Sequence, residues 1–81
     1  MQLLTRLETS SYDAWRRAFD GDAEGRRTAG LSLLQIWREA GAPDTALCLF
    51  EVRDRARAEA YLKERDQLGH GLGHATFLRT A

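Results

Sequence analysis

Apolar side chains recur along this chain in short blocks whose spacing alternates between strand-like and helix-like. Gln2–Glu8 carries Leu3, Leu4 and Leu7 in a run too short for a stable helix and suited to a first strand. Ser10, with Asp13 three positions on, marks a helix start, because a serine oxygen can accept from backbone N–H groups that lack partners in the first turn. Tyr12, Trp15, Phe19 and Ala23 then follow at helical spacing and form an apolar stripe, while Asp13/Arg17 and Arg16/Asp20 are spaced to pair on the wet side. Gly21 and Gly25 weaken the second half of this helix and Gly30 ends it. Leu31–Glu39 reads as a second strand and Thr45–Arg53 as a third. The breakers Gly41 and Pro43 place a turn over Ala40–Asp44 and make the pair a hairpin. Asp54 caps a second helix over Arg55–Leu68, with Arg55, Glu59 and Lys63 as a charge ladder and Ala58, Tyr61, Leu62 and Leu68 as its apolar side. Gly69 closes that helix, His70–His74 is a glycine-rich connector, and Ala75–Thr80 is a short last strand.

Strand, helix, strand, strand, helix, strand is the order of a ferredoxin-like βαββαβ domain, an α+β fold with an antiparallel sheet and two helices on one face. The single domain spans residues 1–81. A sheet with one wet face should alternate apolar and polar residues. Here strict alternation points Leu33 and Trp37 one way and Leu34 and Ile36 the other, and sets Cys48, Phe50 and Val52 against Leu47 and Leu49. Both faces are apolar at the sheet centre. Helices cover one; a second copy of the sheet is the expected cover for the other, which makes the chain a homodimer through its sheet face. A domain of this length also buries little on its own and gains from a partner.

The run Tyr12-Asp-Ala-Trp-Arg-Arg-Ala-Phe19, then Ala29-Gly30-Leu31, Gln35-Ile-Trp-Arg38, the Pro43-Asp44 turn and Leu49-Phe50-Glu51-Val52 before Asp54 resembles the dimeric α+β barrel superfamily. More narrowly, it resembles small stand-alone bacterial members of antibiotic-biosynthesis-monooxygenase type and their uncharacterised relatives. The likeness extends to about Leu62. It implies a pocket between helices and sheet in each subunit. Members of the group include cofactor-free oxygenases, haem-degrading enzymes, isomerases and cyclases. The oxygenase and haem-degrading branches rely on an asparagine in the site, and this chain contains none, so none of their site residues carries over.

Composition narrows the field further. Twelve basic and twelve acidic residues cancel, so nothing favours nucleic acid or an anionic membrane as partner. All basic residues but Lys63 are arginine, a codon signature of a GC-rich bacterial genome. No apolar run approaches a membrane span, the N-terminal segment lacks the features of a signal peptide, and a cytoplasmic location is expected. The single cysteine, Cys48, excludes an internal disulfide and reads as a core residue among apolar neighbours.

Candidate chemistry is sparse. Trp15, Phe19, Trp37, Phe50, Tyr12 and Tyr61 are the aromatic residues that can line a pocket for a planar ligand. Arg38, or Arg53, is its polar anchor, while Arg26, Arg27, Arg55 and Arg57 read as solvated faces. His70 and His74 are weak metal candidates: two imidazoles are half of a closed zinc site, with Asp66 or Glu64 within reach as further ligands. Gly69–Gly73 is glycine-rich like a phosphate loop, but it follows a helix and precedes a strand, the reverse of that motif. No catalytic residue and no cofactor is indicated. The residues with the environment to titrate inside a cavity are His70, His74, Tyr61, Glu51 and Asp54. The expectation is a dimeric domain that binds a small apolar or aromatic molecule. The alternative is a cofactor-independent enzyme, a monooxygenase, isomerase or cyclase acting on an aromatic or polyketide-like substrate.

Overall fold

Ser11, extended at φ −153°, accepts the Ala14 amide on its Oγ at 3.3 Å and so starts α1 (Tyr12–Gly21). The cap is thus one residue later than the Ser10 expected from spacing. The computed structural model, which describes residues 1–81, shows what fixes the later start. Asp44 reaches over from the sheet: its Oδ1 accepts the Tyr12 amide at 2.9 Å, and its carbonyl accepts both the Thr9 amide and the Thr9 hydroxyl.

The expected single helix to Gly30 is two. After α1 the chain leaves helical geometry at Asp22 and resumes as α2 (Ala23–Thr28). The Phe19 carbonyl, which an unbroken helix would offer to the fourth residue on, instead accepts the Asp22 amide at 3.1 Å and Arg26 Nη1 at 2.6 Å. The break turns Ala23 out to solvent, away from the apolar stripe. The other helix, α3 (Arg55–Gln67), begins as expected, with Asp54 Oδ1 accepting the Arg57 amide at 3.1 Å, and ends before Gly69 at φ +76°.

Four strands, β1 (Gln2–Glu8), β2 (Leu31–Glu39), β3 (Ala42–Val52) and β4 (His74–Leu78), form one sheet in the order β2-β3-β1-β4, every neighbour antiparallel. The β2–β3 turn is tighter than the sequence implies, because Pro43 and Asp44 lie in β3 rather than in the loop. A strand tolerates proline where the ladder needs no N–H. The register shifts there between Arg38 and Glu39, and the Pro43 carbonyl accepts Arg38 Nε at 2.8 Å. β4 is likewise displaced by one residue at its start relative to the expected Ala75.

Residues directly opposite each other in an antiparallel pair share a face. Leu3, Thr5, Cys48, Phe50, Val52 and Leu31 therefore lie on the face that meets Phe19 of α1, Ala29, Ala58 of α3 and Leu72, which together form the core. Cys48 is buried there, and burial pushes its thiol up from its ordinary value, as suits a packing residue. A bulge at Leu34 breaks strict alternation in β2. Leu33 stands opposite Phe50 and Ile36 opposite Cys48 on the covered face, while Trp37 stands opposite Leu47 on the other. The phase inferred from simple alternation is thus corrected for Leu33 and Ile36. With extents of 31 × 31 × 18 Å, the molecule is a slab one helix layer and one sheet thick. No helix is long and apolar enough to cross a membrane.

Candidate functional site

The α1–α2 break and the α3–β4 connector leave a gap in the helix layer over the end of β1. It is a cavity of about 650 Å³, within the size range of small-molecule sites. One wall is aromatic, built from Trp15 and Phe19 of α1, whose rings meet at 4.9 Å with a 34° tilt. The opposite wall is Tyr61 and Arg65 of α3, and the rim is the connector Gly69–Gly73, with Leu72 turned inward to the core. Glu8, Thr9, Ser10 and Ser11 complete the mouth.

Polar groups converge at the floor. The Tyr61 hydroxyl donates a hydrogen bond to Asp22 Oδ2, and Arg65 Nε lies 3.7 Å from the same oxygen. Asp22 is available for this because it sits at the helix break, half-buried, rather than inside a regular turn. Beside it Arg26 is 7 % exposed, its guanidinium 3.6 Å from the centre of the Phe19 ring. Asp22, Tyr61 and Arg65 also form one side of a second cavity of about 520 Å³, reaching Gly25, Ala29, Arg57 and Ala60. The Tyr61–Asp22 bond therefore stands as a partition between two cavities.

Burial first, then the hydrogen bond to Asp22 and its charge, pushes the Tyr61 phenol up to about 12; Arg65 and Arg26 act in the opposite sense. Its unfolded value is about 10. The folded state thus holds the proton more tightly, so this contribution to stability is complete below pH 10 and is lost as pH rises from 10 towards 12. Urea midpoints at pH 9 and pH 11.5 are expected to fall further for the native chain than for Tyr61→Phe. An equal fall in both proteins would show that the phenol contributes nothing to the alkaline loss.

Of the residues singled out from sequence, Trp15, Phe19 and Tyr61 line the main cavity. Phe50 lies one layer deeper, fully buried and 6.3 Å from Phe19. Trp37 stands on the opposite sheet face, 44 % exposed. Arg38 lies off the cavity, with its guanidinium 4.3 Å over the Tyr12 ring. Arg53, Glu51 and Asp54 are exposed, Asp54 being occupied as the cap of α3. His70 borders the cavity, whereas His74 lies in β4 opposite Arg6, so the two histidines part company. No three His, Cys, Asp or Glu side chains gather to hold a metal ion.

The sequence missed Asp22, Arg65 and above all Arg26, which it places on a solvated face. The correction rests on contacts across the helix break: the Phe19 carbonyl accepts Arg26 Nη1, and the Phe19 ring lies under the guanidinium. Its neighbour Arg27 does face solvent, paired with Glu24 at 2.8 Å. Arg55 is exposed too, paired with Glu59.

No protein-family model matches the chain, and neither does any curated protein. Among solved structures it is similar to SCO4226 from Streptomyces coelicolor A3(2), with a TM-score of 0.68 and 18 % identity over 100 % of this chain and 99 % of that one. The likeness is one of fold: a small α+β domain with a four-stranded antiparallel sheet and three helices.

Proposed function

We propose that the chain is a ferredoxin-like domain of dimeric α+β barrel type, and that each subunit holds a small apolar or aromatic molecule between helices and sheet. The strand order β2-β3-β1-β4, with helical segments after β1 and after β3, supports the ferredoxin-like assignment. The observation that carries the binding role is the cavity of about 650 Å³ with Trp15, Phe19 and Tyr61 in its walls. Sites of this kind are mostly apolar with a few placed polar groups.

The uncovered sheet face supports the dimer. It carries Leu4, Leu47, Leu49, Trp37 and Leu78, with Leu34 exposed at the bulge. Polar pairs flank this patch: Gln2 Nε2 donates to Glu51 at 2.9 Å, and Arg6 bonds Glu39 at 3.2 Å. An apolar centre with a polar rim is the anatomy of a protein interface.

Native mass spectrometry of the untagged protein at micromolar concentration tests both parts. The expected spectrum shows a dimer, and any co-purified organic molecule adds mass once per subunit. Trp37→Glu, at a position off the core, is expected to give a folded monomer with an unchanged far-UV circular dichroism spectrum. A native chain that runs as a clean monomer would overturn the sheet-face dimer.

A further inference from the structure

We propose that Arg26 anchors an anionic group, and that the molecule taken by the cavity is a monoanionic aromatic acid. This rests on the binding role given above and specifies its ligand class. Arg26 is 7 % exposed and takes part in none of the ion pairs of the chain. A buried cation left without an anion costs several kcal/mol, on the order of the penalty for any unpaired buried ion. Two neighbours offset part of that: Phe19, whose carbonyl accepts Nη1 at 2.6 Å, and the ring of the same residue, 3.6 Å from the guanidinium. They leave the rest of the donor fork free. Every fully buried side-chain nitrogen and oxygen has a partner, so the unbonded guanidinium nitrogens are not sealed off, and Arg26 is one of the residues that line the cavity.

The wall carboxylates are not placed to serve as the missing anion. Asp22 is taken by the Tyr61 hydroxyl and by Arg65 at 3.7 Å. Glu8 turns outward to Arg6 at 3.4 Å, and Asp66 is exposed at the rim. A guanidinium presents a planar fork that suits a carboxylate in two parallel hydrogen bonds. Because Arg65 is already paired with Asp22, one positive charge is unmatched, which fits a single negative charge better than a phosphate dianion. The stacked pair Trp15 and Phe19 lies alongside, so a flat body attached to the carboxylate meets an aromatic wall.

Isothermal titration calorimetry with 1-naphthoate and its neutral counterpart 1-naphthalenemethanol tests this on the full chain. The native protein is expected to bind the acid at least tenfold more tightly than the alcohol. Arg26→Met keeps an apolar side chain over Phe19 and is expected to bind both probes alike, while Arg26→Lys keeps the charge without the fork and falls between. Circular dichroism checks that each variant is folded. Should Arg26→Met fail to fold, Arg26→Lys and the acid-to-alcohol ratio of the native protein still decide the matter. Equal binding of acid and alcohol by the native chain would overturn the anion anchor and leave the cavity as an apolar binding site. An acid preference undiminished in the folded variants would overturn it as well, by assigning the charge to another residue. Binding of neither probe up to millimolar concentration would overturn the small-molecule role itself.

Discussion

Phe50→Ala is expected to leave the chain at the edge of unfolding. Phe50 is fully buried towards the end of β3, opposite Leu3 on one side and Leu33 on the other, with Phe19 packed above it. Truncating a buried phenylalanine costs about 3–5 kcal/mol, part of it lost transfer energy and part the cavity left behind. A domain of this length holds roughly 4–12 kcal/mol in all, from about 0.05–0.15 kcal/mol per residue. Little slack exists to absorb the hole, since just 14 of 81 residues are buried. Urea denaturation followed by far-UV circular dichroism measures the loss. A change below about 1.5 kcal/mol would mean that Phe50 is not the centre of the core.

Gly73→Ala is expected to be as damaging by a different route, and Gly69→Ala provides the control. Both glycines have positive φ, +85° and +76°, a region where a side chain costs about 1–2 kcal/mol. Around Gly69 there is open space for a methyl group. At Gly73 the same methyl would overlap the Arg6 carbonyl oxygen and come within 2.8 Å of Leu7 Cα, backbone atoms of β1 that cannot swing aside. The start of β4, where His74 pairs with Arg6, must then separate from β1. The expected loss for Gly69→Ala is about 1–2 kcal/mol. For Gly73→Ala it is several times larger, with fast hydrogen exchange at the β4 amides. Because Gly73 is also part of the cavity rim, the variant is expected to lose 1-naphthoate binding along with its β4 protection. Equal unfolding midpoints for the two variants would show that the close approach at Gly73 is not tight.

Much of this architecture can be read from residue order. Two strands, Gln2–Glu8 and Leu31–Glu39, fall where their apolar runs place them, and Asp54 caps its helix. These are local decisions, made by propensity and capping within a few residues. Several of the misplacements involve long-range contacts. Asp44 looks like a turn residue until its carboxylate and carbonyl are seen holding the start of α1, 32 residues earlier for Tyr12. At the helix break, the Asp22 carboxylate meets the Tyr61 hydroxyl, 39 residues away. The bulge at Leu34 reverses the phase of Trp37, moving it from the pocket side to the uncovered face.

The candidate site is less legible than the fold for the same reason. Trp15, Phe19 and Tyr61 announce themselves as large aromatic residues at helical spacing, and the structure brings them to one cavity. Arg26 carries the opposite label. An arginine beside another arginine in a polar stretch reads as surface, and the Phe19 carbonyl and ring that hold it buried are contacts made across the break in the helix.

The bulge at Leu34 has a second effect, on the rim of the sheet. In the order β2-β3-β1-β4 the outermost strands each expose one row of unpaired backbone N–H and C=O groups, a template on which other chains can add strands without limit. β4 offers just five residues to such growth. β2 is nine residues long, but its irregularities between Leu33 and Gln35 and between Arg38 and Glu39 interrupt the straight ladder an incoming strand would need. Fibre-like stacking is disfavoured at both margins, and the apolar area left for association is a face, which in the proposed dimer closes on itself after two copies.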